Sequence, residues 1–145
     1  MGLDMYLTRK PYDANLSKDQ NNDPEGSEHE EVAYWRKSNA IHGWFVDNVQ
    51  GGKDDCKKYG VDKNDINRLI SAVEAVIKHP TKAEKILPAR NGFFFGSYDY
   101  GTDDYIEDYD YGTDYIEDLT QTKNMLDKVL ENWDDTAKYY YQSSW

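Results

Sequence analysis

Side chains able to bind or react are densest between Tyr34 and Gln50, in the run YWRKSNAIHGWFVDNVQ. Trp35 and Trp44 offer flat faces for stacking. Arg36 offers a planar cation suited to phosphate, and Asn39 and Asn48 offer amides that both donate and accept. His42 changes charge near neutral pH, so it is the candidate general acid or base, with a carboxylate such as Asp4 to orient it. Read as a pocket, Trp35, Arg36, Asn39, His42, Trp44 and Asn48 face Phe94, Phe95 and the C-terminal Tyr, Ser and Trp residues, and hold a small ligand such as a nucleotide. The competing reading makes His42 a hydrogen-bonded group inside a core built partly from these Trp residues. The chain carries no nucleophile elbow, P-loop, dinucleotide fingerprint or zinc-ligand spacing. No catalytic residue is assigned, and no metal or cofactor is expected.

A second constellation is acidic. Residues 98–108 read YDYGTDDYIED and residues 109–118 read YDYGTDYIED, one unit written twice with an Asp dropped. The nine acids are Asp99, Asp103, Asp104, Glu107, Asp108, Asp110, Asp114, Glu117 and Asp118. With no basic residue among them, residues 98–118 carry −9 of the chain's net −11, leaving −2 for the other 124 positions. The order of oxygens does not match a calcium-binding loop. Carboxylates interleaved with Tyr can instead imitate a phosphate backbone and occupy a basic groove made for nucleic acid. The competing reading is a solvated acidic loop that arose by duplication and keeps the protein soluble.

These groups need a scaffold. Leu3–Thr8 alternates apolar and polar residues and predicts a strand with Leu3, Met5 and Leu7 on one face. Residues 11–31 are polar and rich in turn formers, and read as a flexible excursion in which His29 is solvated. Glu30–Gln50 reads as one helix ended by Gly51 and Gly52. Lys53–Tyr59 reads as a charged connector in which Asp54, Asp55 and Cys56 match no zinc pattern. Asp62 N-caps a helix whose stripe is Ile66, Leu69, Ile70, Val73, Val76 and Ile77, and His79 closes it. Thr81 and Glu84 form a capping box for a short helix ending before Pro88. Phe93–Phe95 reads as a buried strand or a pocket-lining turn. A further helix starts near Thr113, with Ile116, Leu119, Leu126, Val129, Leu130 and Trp133 as its apolar stripe. Lys138–Trp145 ends the chain as a strand with Tyr139, Tyr141 and Ser143 on one face and Tyr140, Gln142 and Ser144 on the other. The expected fold is α+β: a small antiparallel sheet that includes the N- and C-terminal strands, packed against three to four helices in a single domain spanning 1–145.

Composition limits the setting. A chain of 145 residues can bury roughly two-thirds of its unfolded surface. No apolar run approaches the ~20 residues needed to span a bilayer, and no signal peptide is expected. Tyr6 stands where myristoylation prefers Ser or Thr. A lone Cys56 suits a reducing cytoplasm. The acidic balance argues against direct binding to nucleic acid or an anionic membrane.

MGLDMYL at the start, YWRK followed by N-x-I-H-x-W-F-V-x-N-V-Q, ILP, GFFFGS and the terminal YYQSSW resemble a family of small phage and prophage proteins of unknown function. The resemblance covers both ends and the middle of the chain. It implies phage origin and expression in the cytoplasm of a bacterial host, and assigns no catalytic residues. The leading expectation is therefore a non-enzymatic acidic binding protein that acts on a host protein with a basic surface, as a counter-defence inhibitor. The alternative is the pocket protein of residues 34–50, with Trp35, Arg36, Asn39, His42, Asn48 and Phe95 as ligand contacts.

Overall fold

The computed structural model describes residues 3–21, 29–88 and 112–145. The inward residues of the first and last strands explain how the sheet assembles. Met5 and Leu7 are fully buried on one face of β1 (Asp4–Lys10), as is Leu3 just before it, and Tyr139, Tyr141 and Ser143 are buried on the matching face of β4 (Lys138–Ser144). The two strands run antiparallel, with Leu7 opposite Tyr141 and Met5 opposite Ser143. They form the centre of a four-stranded antiparallel sheet ordered β2-β1-β4-β3, with β2 Glu30–Arg36 and β3 Tyr59–Val61 at its edges. The termini therefore pair as their alternation requires, and the fold is α+β.

The main departure from the sequence pattern lies at 30–50. This run is a strand and a helix, not one helix. Two residues per repeat place Ala33 and Trp35 against the core, opposite Leu7 and Met5, while Tyr34 and Arg36 point outward. Pairing with β1 outweighs a helical propensity that differs little from residue to residue. Lys37 then adopts φ 59°, a left-handed conformation costly for a residue with a Cβ, and its N–H donates to the Leu3 carbonyl at 2.7 Å. The chain turns there into α2 (Asn39–Asn48), which stops before Gly51 and Gly52 at φ 63° and 83°. Glycine is suited to both positions because a Cβ disfavours positive φ.

The helices cover one face of the sheet. In α3 (Lys63–Lys78), Asp62 accepts from the Asp65 N–H at 2.7 Å while the Asp65 carboxylate accepts from the Asp62 N–H at 3.1 Å, a complete capping box. Ile66, Leu69, Ile70, Val73 and Val76 are buried on its inner face, and His79 is its C-cap. Thr81 lies inside a 3-10 turn, Pro80–Lys82, so no side chain caps α4 (Ala83–Ile86), and the second expected capping box does not form. The last helix, α5 (Gly112–Glu131), packs along α3 and contributes Tyr115, Leu119, Leu126 and Val129 to the core. The short strand β3 starts at Tyr59, the last residue of the charged connector, and its three residues give no readable alternation.

Within the polar excursion, one helical turn, α1 (Lys18–Asn21), closes a loop around the Asn21 side chain. Its amide accepts from the Asp13 N–H at 2.9 Å and donates to the carbonyls of Asp13, Leu16 and Ser17 at 3.0–3.3 Å. His29 is half-buried rather than solvated, 3.3 Å from the Thr8 hydroxyl and against the Tyr140 ring. Phe93–Phe95 and the repeat up to residue 111 lie outside the described residues. Among the described residues, no helix is long and apolar enough to cross a membrane, and no three His, Cys, Asp or Glu side chains are grouped to hold a metal ion.

Candidate functional site

The chemistry-bearing residue at the centre of the molecule is His42. Helix α2 is buried on more than one face: Asn39, Ala40, Ile41, His42, Phe45 and Val46 are all nearly inaccessible. A polar ring placed there must find partners or destabilise the fold. His42 finds one on each nitrogen. Nδ1 lies 2.6 Å from the Tyr141 hydroxyl, and Nε2 lies 2.9 Å from Oδ1 of Asp54. The same Asp54 oxygen accepts from the indole N–H of Trp145 at 2.9 Å.

The direction of the proton chain follows from burial. Tyr141 has no exposed surface, and its ring stacks on Phe45 with centroids 3.8 Å apart and planes within 9°. Burial raises its pKa well above the usual 10, reinforced by the nearby charge of Asp54 and then by Cys56. The phenol therefore keeps its proton and donates it to Nδ1. With Nδ1 as acceptor, Nε2 is the nitrogen that donates to Asp54. Phenol, imidazole and carboxylate in line resemble a proton relay. The imidazole side chain is only 2% exposed, however, while Asp54 is 22% exposed. Nothing outside the protein reaches His42, so the chain acts as a clamp. It ties α2 and the Lys53–Tyr59 connector to β4 and the Trp145 that follows it.

The other residues of the run diverge instead of converging. The Trp35 indole N–H donates to the buried Thr122 hydroxyl of α5 at 2.9 Å, which itself donates to the Asp118 carbonyl at 2.8 Å. Arg36, next to it on the strand, points to the opposite face and into solvent. Asn39 is buried. The Asn48 amide donates to the Trp44 carbonyl of its own helix at 2.9 Å. Trp44 packs edge-on against Phe45 and lies under the Arg68 guanidinium of α3. Asp4, expected to orient His42, instead accepts from the Tyr34 hydroxyl at 2.5 Å. Phe95 lies outside the described residues. A cavity of about 60 Å³ opens between α2 and the end of α4, lined in part by Gly43, Asn48 and Pro88. That is far below the roughly 300–1,000 Å³ of small-molecule sites.

Asp54, Tyr141, Thr122 and Trp145 complete these contacts, and none carries a local signal. Their partners stand 12, 99, 87 and 91 residues away along the chain.

Of the acidic set, Asp99, Asp103, Asp104, Glu107, Asp108 and Asp110 lie outside the described residues, and Asp114 falls in the first turn of α5. Glu117 is exposed. Asp118 is not free surface charge: Oδ1 accepts from the buried Ser38 hydroxyl at 2.6 Å, fastening α5 to the start of α2. Tyr115 of the second repeat copy is fully buried, and its hydroxyl donates to the Leu87 carbonyl at 2.6 Å. That socket holds one tyrosine, so it serves one copy of the duplicated unit. Family models, curated proteins and solved structures give no match to the chain.

Proposed function

We propose that the protein is a phage-derived, non-enzymatic binding protein that acts in the cytoplasm of a bacterial host. In this reading, the acidic segment at 98–118 occupies a basic, nucleic-acid-binding surface of a host protein and blocks it, as a counter-defence inhibitor would. The concentration of charge carries the proposal: nine acids and no base in 21 residues, against −2 for the rest of the chain. The closed state of His42 also supports it, because, among the described residues, the constellation around this imidazole holds the fold together. Attraction between such a segment and a basic groove is long-ranged, speeds association and weakens with salt.

The test mixes the protein with nucleic-acid-cleaving host proteins at low and high salt. A variant with Asp99, Asp103, Asp104, Asp108 and Asp110 replaced by Asn is run alongside. Binding that falls steeply with salt and disappears in the variant is the expected result. Binding indifferent to both changes, or absent at low salt, overturns the proposal.

A further inference from the structure

Where β3 stops, the sheet leaves a cleft. The pairing of β3 with β4 ends at Val61 and Tyr139. From there the chain turns at Asp62 into α3, while β4 reaches one residue beyond the pairing, to Lys138. The gap is a cavity of about 610 Å³, within the range of small-molecule sites. Val61, Ala137 and the aromatic pair Trp133 and Tyr139 give it an apolar side. The two rings stack with centroids 3.7 Å apart and planes within 7°, and the Tyr139 hydroxyl accepts from the Asp134 N–H at 2.9 Å. This wall is therefore in place before anything binds. Gly60 contributes no side chain, and a Cβ there would meet nothing within 4 Å.

The charged lining alternates in sign. Asp62 and Lys63 line the cavity from the start of α3, and Asp135 and Lys138 line it from the approach to β4. A third carboxylate, Asp65, is committed within the fold: one oxygen accepts from the Asp62 N–H at 3.1 Å and the other from Arg68 at 2.7 Å. Asp62 gives one oxygen to the Asp65 N–H. Lys63, Asp135 and Lys138 are exposed, and their side chains take part in no salt bridge or hydrogen bond among the described residues. Each wall thus offers one anion and one cation beside an aromatic surface.

We infer that this cleft binds a zwitterionic small molecule with an aromatic body, of the class of an aromatic amino acid. The two ammonium groups suit a carboxylate, and Asp135 with the second oxygen of Asp62 suits an ammonium. A polyanion such as a nucleotide would meet repulsion from Asp62 and Asp135, and a polycation would meet it from Lys63 and Lys138. A molecule with one charge of each sign finds a complement for both. Its ring packs against Trp133 and Tyr139, edge-on or offset, as aromatic rings prefer. The cleft shares no residue with the 34–50 run or with the acidic segment, so it stands whether or not that segment occupies a basic surface.

The experiment titrates the full chain with phenylalanine, phenylpropionate and phenylethylamine at constant ionic strength. Binding is followed by amide and indole chemical shifts. Phenylalanine should bind saturably, with shifts at Gly60, Lys63, Trp133 and Lys138, and about tenfold or more tightly than either single-charge analogue. The double variant Lys63→Gln, Lys138→Gln should weaken phenylalanine and phenylpropionate but not phenylethylamine. Asp135→Asn should weaken phenylalanine and phenylethylamine but not phenylpropionate. Gly60→Leu puts a side chain into the open space and should abolish binding without lowering the melting temperature. Three results overturn the inference: no saturable shift with phenylalanine, an analogue that binds as tightly as phenylalanine, or phenylalanine affinity unchanged in the charge variants.

Discussion

Tyr141 and Lys138 stand three residues apart on β4, and the protein treats them in opposite ways. Around Tyr141 every strong polar group meets its complement: phenol to imidazole, imidazole to carboxylate, indole to the same carboxylate. Around Lys138 like meets like, with Lys10 across the strand and Lys18 on the loop above. The first arrangement is complete within the chain, with Asp54 alone of Tyr141, His42 and Asp54 reaching solvent. The second leaves Lys18 and Lys138 exposed to solvent. Residue types associated with catalysis can thus serve as internal fastenings, because each polar group of the His42 chain meets a partner within the fold.

The largest expected effects fall on the region around Tyr141. Phe45→Ala removes the ring stacked on Tyr141 and leaves a hole beside Trp35 and Trp44. Denaturant unfolding should show a loss of about 3–5 kcal/mol. A loss below about 1 kcal/mol would show that the stacked pair carries little of the core's stability.

His42→Phe keeps the volume of the ring but strands the Tyr141 hydroxyl in the core. Asp54 retains Trp145 and some solvent, so most of the cost comes from the phenol, about 1–3 kcal/mol. Adding Tyr141→Phe to the same chain removes the stranded group and should recover part of the loss. A single variant as stable as the parent would show that the imidazole is not a structural clamp.

The closed region was only partly legible in the sequence. Alternation identified β1 and β4 as partners, because Leu3, Met5, Leu7, Tyr139, Tyr141 and Ser143 are sorted by face, and one face is buried. The stripe of α3 and its Asp62 cap were equally local. The 30–36 run failed that treatment. Its apolar residues fit both periods, and pairing with a distant strand decided between them. Asp54 read as one acid in a charged connector because nothing nearby announces that His42 lies above it. Tyr115 and Thr122 fell off the predicted stripe of α5, yet both are fully buried. The Tyr115 hydroxyl needs a tertiary acceptor, the Leu87 carbonyl, and the Thr122 hydroxyl bonds back within α5 while accepting from Trp35. The lysines at the strand ends left no trace either, since Lys10, Lys18 and Lys138 become neighbours only when the ends of the chain pair and the 12–21 loop folds over them.

Alkaline titration separates the regions by proton binding. The folded-state pKa of Tyr141 lies well above its unfolded value near 10, so its contribution to stability is complete below about pH 10. Above that pH the unfolded chain releases the proton and the folded chain holds it. Stability then falls by up to ~1.4 kcal/mol per pH unit until the folded pKa is reached. Tyr141→Phe should flatten this limb, seen as a smaller drop in melting temperature between neutral and alkaline buffer. An unchanged limb would place the responsible proton elsewhere.

The smallest effect tests the lysine pair at the strand ends. If Lys10 and Lys138 repel across the strands, Lys138→Gln should stabilise the protein by a few tenths of a kcal/mol at low salt. The gain should shrink as salt is added, because screening at ordinary ionic strength acts over about 8–10 Å. A lost surface contact would change stability by the same amount at every salt concentration, whereas repulsion between charges fades as salt is added. Parallel salt curves for the two proteins would leave Lys138 an ordinary surface lysine.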